Sequence, residues 1–390
     1  ITVEEAKKIL IANSYKLEKS EKRKVSGSSG YFLAENIFSK LDLPPFNQSN
    51  VDGYAVKLSL MNEWKVIDEI KAGDSKNIIL KKDQAVRIFT GAVVPEVADC
   101  VLMQERVTID KDKISTDGAL TRGEFIRLKG SQIKKGDLAV PKDVLITPAL
   151  TGFLSAIGFK KIKVYRKPRI FVIVTGNELE IPGNKLSHGK VYDSNSYILR
   201  SALEQIGLKA AKIIFVKDNK KKLLKAISEC IRKADMLLIS GGVSVGKYDF
   251  VNDTLEELGT EKLFYKILQR PGKPLYFGKN KKTIIFGLPG NPASVLTCFY
   301  EYVYPLLRKM QGYENLFLQE RRLKLLRDVN KTFKLSNFLK AKASIDSVES
   351  LEGQASFMLR AFTEANCFIY LPLETSHVSA GEEVEVHMLP

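Results

Sequence analysis

A chain of 390 residues exceeds what one hydrophobic core usually holds, so roughly two to four domains are expected. With 44% hydrophobic and 27% charged residues it reads as a soluble globular protein, and no apolar run nears the roughly 18 residues that span a bilayer. The net charge of +16 raises nucleic acid as a partner, but the lysines are scattered among acids and no aromatics interleave with a basic stripe, so small anions fit better.

The opening ITVEEAKKIL carries acids and no hydrophobic signal core, which argues against secretion and for a cytoplasmic protein. Thr2-Val3-Glu4-Glu5 fits a helix capping box. Lys24 to Gly30 then reads as a hinge or a connection. The stretch LDLPPFNQSNVDGYAV breaks all periodicity and ends at Asp52-Gly53, where Asp52 is either a turn residue or a functional carboxylate. WKVIDEI, QAVRIFTG, CVLMQERVTI, KISTDG and EFIRL follow as short strands separated by turn residues. They predict a β-rich module over about residues 45–140, inside an N-terminal and linker region covering 1–168. Thr90 lies at the edge of that module. TPALTGFLSAIGF predicts a helix from Pro148 to Gly158, and KIKVYRKPR an extended connector.

At Arg169 the texture changes to alternating buried strands and amphipathic helices, which predicts a central α/β domain over 169–312 with a doubly wound parallel sheet. RIFVIVTGNELE is a strand and a turn carrying Glu178. DSNSYILRSALEQIG is a helix capped by Asp193 or Ser194, and LKAAKIIFVKDN a strand ending at Asp218. ADMLLIS is a strand buried on both faces. It runs into Ser240-Gly241-Gly242-Val243-Ser244-Val245-Gly246, a loop with too little side chain to pack, whose exposed N–H groups suit a phosphate. Asp249 next to it can cap the following helix or hold a metal ion. Further on, Pro289, Gly290, Asn291 and Pro292 form a tight turn into a long helix. Ligands of such sheets bind beyond the carboxyl ends of the strands, so these turns should share one rim.

Between them, FYKILQRPGKPLYFGK brings Lys266, Arg270 and Lys273 together; a solvated basic loop is the bland reading and an anion clamp the better one. From about Leu316 short alternating segments predict a small β-barrel-like module over 316–390. The four cysteines are far apart and form no CxxC pair, which fits a reducing compartment, and the three histidines show no metal-ligand spacing.

PPFNQSNVDGYAV, RIFTGAVVPEVADCVLMQE, KVYRKPRIFVIVTGNEL, SGGVSVGKYDF, RPGKP and GLPGNPAS, in that order, resemble the motifs of the molybdopterin molybdenumtransferase family, the MoeA and gephyrin E-domain type. The resemblance implies a molybdenum cofactor biosynthesis enzyme that inserts molybdate into adenylylated molybdopterin and releases AMP, with Mg²⁺ present. It implies functional roles for Asp52, Thr90, Glu178, Asp218, Asp249, Lys266 and Arg270, with Glu178, Asp218 and Asp249 as the metal ligands. Substrate contacts would fall to Gly241, Gly242, Ser244, Gly246, Lys273, Pro289, Gly290, Asn291 and Pro292. The molybdate pocket would take in Arg270, Lys273, Ser356 and Lys340, where an Arg is usual. Asn47, Val51 and Asn177 also depart from the pattern, and Asn177 removes a charge beside Glu178. The resemblance further implies an elongated homodimer, in which one copy's N-terminal module can cover its partner's central domain. Other molybdenum cofactor biosynthesis proteins are implied as further partners. Two rival readings are a molybdopterin adenylyltransferase and a non-catalytic, gephyrin-like scaffold.

Overall fold

Met236 to Ile239 offers water no polar side chain on either face, so it can only serve as an interior strand. In the computed structural model, which describes residues 1–76, 78–243, 250–331 and 334–390, Met236–Ser240 is buried at every position. It lies between Ile170–Thr175 and Thr283–Leu288, parallel to both. The six-stranded sheet runs in the order Ala210–Val216, Ile170–Thr175, Met236–Ser240, Thr283–Leu288, Tyr276–Asn280, Glu261–Tyr265. Its first four strands are parallel, and the last two extend it in antiparallel fashion. The expected parallel sheet is therefore the part that forms the rim, with an antiparallel margin beyond it.

Side-chain alternation divides each inner strand between two cores. Ile170, Val172 and Val174 share one core with Leu199, Leu203, Val295 and Phe299, from the helices Asn195–Gln205 and Pro292–Cys298 and the turn after them. Phe171 and Ile173 share the other with Leu223, Ile227 and Leu255, from Lys220–Ile231 and Val251–Glu257. From Ile170–Thr175 the chain passes outward to Ala210–Val216 and then returns to Met236–Ser240 on the opposite side. That reversal opens a crevice beyond the carboxyl ends. The long helix after Pro292 is interrupted by a π-helical stretch, Phe299–Val303, before it resumes as Tyr304–Gln311. Pro305, which has no N–H to donate, sits at the resumption.

The C-terminal β module is a closed barrel. Ser336–Ala343 pairs with both Ser347–Ser350 and Cys367–Leu371, and Gln319–Leu325 and Glu383–Met388 complete the ring. Gln269–Arg270 adds to Ser336–Asn337 as a parallel flank. The four cysteines are all free and buried, and so pack as small apolar side chains.

Packing divides the chain into two compact units, Ile1–Lys19 with Tyr165–Pro390, and Ser20–Val164. The first helix, Val3–Ala12, carries the reciprocal Thr2–Glu5 capping box. Sequence order groups it with the N-terminal region, but its Val3, Ala6 and Leu10 stripe enters the core that holds Tyr302, Leu306 and Met310. In the Ser20–Val164 unit, a six-stranded sheet runs Cys100–Met103, Gly53–Val56, Gln84–Ile88, Glu63–Ile70, Lys113–Ser115, Thr108–Asp110. A second core there joins Val25, Leu33, Val140, Ile162 and the helix Pro148–Ala156. Of the two readings of Lys24 to Gly30, a packed connection fits: Val25 and Ser28 are buried, and the Ser28 hydroxyl donates to Val25 O at 2.8 Å.

The larger unit also buries a chain of charges. Lys7 Nζ lies 3.0 Å from Glu301, whose Oε1 lies 2.8 Å from His387 Nδ1, and His387 Nε2 lies 3.0 Å from Glu385. Burial pushes Glu301 up, but the Lys7 ammonium and the His387 imidazolium outweigh it and hold the carboxyl at about 2. Burial likewise pushes His387 down, and Glu301 and then Glu385 outweigh it, raising the imidazole to about 9. The His387 contribution is complete below its unfolded value of 6.5 and is lost as pH rises through about 9. That of Glu301 is complete above 4.5 and is lost as pH falls through about 2. Calorimetric unfolding should therefore show stability falling by on the order of 1–3 kcal/mol between pH 6.5 and 9.5. Glu301→Gln should flatten that fall; an equal alkaline fall in the variant would mean that Glu301 does not hold the proton on His387.

Candidate active site

The crevice is built from strand ends. Thr175 closes its strand with a buried side chain, and its hydroxyl donates to Asp218 Oδ1 at 2.7 Å. The Asn177 N–H donates to Asp218 Oδ2 at 2.9 Å, and the Asp218 N–H returns a bond to Asn177 Oδ1 at 3.2 Å. Asn177 thus fastens the neighbouring strand end through its side-chain oxygen, an acceptor that an Asp would also offer. Lys190 Nζ donates to Asn177 O from the next turn.

Gly241 and Gly242 leave the central strand with φ of +89° and +64°. A Cβ on Gly241 would lie 2.4 Å from the Thr175 carbonyl oxygen, so backbone approaches backbone there as only glycine allows. Gly176 is similar in effect: a Cβ on it would meet both Glu178 carboxylate oxygens at 2.8 Å, because the exposed Glu178 side chain folds back over it. Thr175, Gly176, Glu178, Asp218, Gly241, Gly242, Val243, Pro274, Pro289 and Gly290 line one cleft of ≈ 280 Å³. Glu178 and Asp218 fit a divalent cation in chemistry: both are oxygen donors on this cleft, and each Asp218 oxygen accepts one described hydrogen bond, which leaves a lone pair. Ser244, Gly246 and Asp249 lie outside the described residues.

Asn291 and Pro292 continue the turn from Pro289 and Gly290, with Pro292 at the first helical position as predicted. Asn291 Nδ2 donates to Ser356 Oγ at 2.8 Å, and the Ala293 N–H to Ser356 O at 3.2 Å, so a loop of the barrel is fastened to the rim. The basic segment sits beside it. Buried Gln269 donates to Pro271 O at 3.0 Å and accepts from the Tyr302 hydroxyl, and a Cβ on Gly272 would come 2.4 Å from Cys298 Sγ. That packing holds the RPGKP turn. Arg270 and Lys273 are exposed on it, and Arg270 opens on a second cleft of ≈ 310 Å³ with Asn337 and Gln354. Lys266 is half-buried with φ of +69°; neither it nor Lys273 lines either cleft.

Lys340 is not turned to solvent. It is 2% exposed, and Nζ donates to the carbonyls of Gly353, Ala355 and Met358. Burial lowers it to about 8. In the other unit, Asp52 Oδ1 accepts both the N–H and the hydroxyl of Thr90, at 2.7 and 2.8 Å. Those two bonds hold the Asp52 carboxyl below its ordinary range.

Sequence reading missed Asn195. It is 8% exposed and donates to Ser240 Oγ at 2.9 Å and Gly290 O at 2.7 Å, tying the glycine-loop strand to the proline turn. Its Oδ1 is buried without a partner among the described residues. The available signal was the polar run DSNS before the helix, which is capped by Asp193 through the Ser196 N–H at 3.1 Å.

The open α/β sheet gathers two carboxylates, two left-handed glycines and a proline turn at its rim, the place where ligands of such sheets bind. Comparison with known proteins narrows the class. Residues 1–158 match the MoeA N-terminal region (domain I and II), 171–309 the probable molybdopterin binding domain, and 322–389 the MoeA C-terminal region (domain IV). The molybdopterin molybdenumtransferase of Haemophilus influenzae is 36% identical over 363 residues, 90% of each chain. That of a Nostoc species is 34% identical over 93% of this chain and 87% of its own. A crystal structure of the molybdopterin biosynthesis MoeA protein of Pyrococcus horikoshii superposes with a TM-score of 0.82 at 32% identity, covering 100% of this chain and 98% of the other. The chain belongs to the molybdopterin molybdenumtransferase family and is an enzyme of molybdenum cofactor biosynthesis.

The glycine approach can be tested apart from activity. Gly241→Ala should lower unfolding stability in denaturant by about 2 kcal/mol or more, through clash and strain together. Gly290→Ala, whose Cβ meets nothing within 4 Å, should change it by less than about 0.5 kcal/mol. Equal losses would mean that the Gly241–Thr175 approach does not constrain the rim.

Proposed function

We propose that this chain inserts molybdate into adenylylated molybdopterin and releases AMP in a Mg²⁺-dependent reaction. The observation that carries the reading is the junction of two kinds of group: Glu178 and Asp218 share a cleft with the left-handed glycines, and Ser356 of the barrel loop is fastened to that cleft's turn at Asn291. A phosphoanhydride is anionic and needs backbone N–H groups and a cation, which the glycine loop and the two carboxylates would supply. Glu178 and Asp218 would hold Mg²⁺, joined by Asp249 from the family motif. An ion held there would supply positive charge to offset that of the phosphates.

The residues of this chain do the positioning. Asp218 locks the strand ends, Gly241 and Gly242 would admit the phosphate close to the backbone, and the family motifs assign Arg270, Lys273 and Ser356 to the oxyanion, although Lys273 lines neither described cleft. No protein thiolate is required, because the pterin brings its own sulfur ligands, and the four cysteines are buried. Asp52, held ionised by Thr90, is assigned to the same reaction by the motif in which it lies.

Incubating the chain with adenylylated molybdopterin and Mg²⁺ should release AMP only when molybdate is added. Asp218→Ala should slow that release by more than about tenfold. AMP transfer from ATP to molybdopterin without molybdate would point to the adenylyltransferase reading, and no turnover at all to a scaffold. The family likeness also supports a homodimer. Sedimentation should then report a particle of about twice the 43.7 kDa chain; a single-chain mass at micromolar concentration would rule out a stable dimer.

A further inference from the structure

We propose that Lys340 is a positioning residue: it clamps the loop from Leu351 to Met358 so that Ser356 presents its hydroxyl to the oxyanion, without touching the oxyanion itself. The proposal rests on the molybdate-insertion reading and departs from the ligand role that a cation at this position would suggest. An ammonium has three N–H donors. Lys340 aims all three at backbone, with Nζ 2.5 Å from Gly353 O, 3.1 Å from Met358 O and 3.3 Å from Ala355 O. These carbonyls flank Ser356 on both sides. The same residue grips the loop through its backbone: the Lys340 N–H donates to Gln354 Oε1 at 3.0 Å, and Lys340 O accepts from Gln354 Nε2 at 2.8 Å and from the Leu351 N–H at 3.0 Å.

The clamp matters because of what Ser356 then does. Its carbonyl accepts from the Ala293 N–H, and its Oγ accepts from Asn291 Nδ2, so the hydroxyl keeps its own hydrogen to donate. A hydroxyl fixed in this way is a directed donor for an anion. A lysine suits the task better than an arginine, since a compact point charge on a flexible stem can meet three carbonyls converging on one atom, whereas a planar fork splays its donors.

The test uses the full chain and two readouts. Amide hydrogen exchange across residues 353–358 should quicken by about tenfold or more in Lys340→Met and stay unchanged in Arg270→Ala. In AMP release, half-saturating molybdate should rise by about tenfold or more in Lys340→Met, with kcat at saturating molybdate within about twofold of wild type. Gln354→Leu, which loosens the loop without removing a charge, should shift both readouts in the same direction and serves if Lys340→Met does not fold. A raised molybdate requirement with unchanged exchange would make Lys340 a direct ligand and overturn the proposal. Faster exchange with an unchanged molybdate requirement would detach the loop from the site and overturn it equally. AMP release from the wild type that does not depend on molybdate would instead sink the functional reading, and the positioning role with it, while the exchange rates would still report whether the clamp exists.

Discussion

One carboxylate, that of Asp218, joins the ends of two neighbouring parallel strands, and the geometry of the rim follows from that link. It takes the Thr175 hydroxyl on one oxygen and the Asn177 N–H on the other. Thr175 in turn presents the carbonyl beneath which Gly241 passes, and the turn after Asn177 carries Glu178 into the cleft. Ile170–Thr175 is set by burial on both faces, whereas Ala210–Val216 is an edge strand that is exposed or half-buried over most of its length. The polar link decides how the ends are joined. Asn195 repeats the device one step along, bridging Ser240 and Gly290 across the next pair of strand ends.

The barrel reaches the rim by a similar economy. Gln269–Arg270 flanks the barrel strand Ser336–Ala343, and Asn291 holds the barrel's Ser356. Two local contacts therefore fasten both the RPGKP turn and the proline turn to the barrel. The supports beneath them are polar groups turned inward: buried Gln269, Tyr302 and Cys298 under the RPGKP turn, and half-buried Gln354 with the buried Lys340 ammonium under the barrel loop. Buried polar groups that are fully bonded in this way hold a single arrangement, which a site for a small, rigid oxyanion needs.

Much of this was legible in the sequence. Buried strands announced themselves as apolar runs, and Asp218, the glycine loop and the proline turn were placed at strand ends by alternation alone. Gly207 and Gly259, each just beyond a helix, take φ of +71° and +69°, the left-handed backbone that ends a helix. What was not legible depends on contacts distant in the chain. The first helix carries an apolar stripe that fits any core, and only the fold shows it beside Tyr302 and Met310. Lys340 reads as a strand cation, and nothing nearby in sequence says that three carbonyls 13 to 18 residues later will take its donors. The π-helical Phe299–Val303 follows an unbroken helical pattern, and its Glu301 finds His387 from 86 residues away.

The account's central claim is that the sheet rim and the barrel loop form one site through Asn291 and Ser356. A double-mutant cycle on Asn291→Ala and Ser356→Ala, read as half-saturating molybdate in AMP release, tests that claim most directly. The account predicts that the double variant loses no more than the worse single variant, a coupling of about 1 kcal/mol or more, because each side chain acts through the other. Strictly additive losses would contradict it and leave the two residues acting on molybdate separately, or not at all.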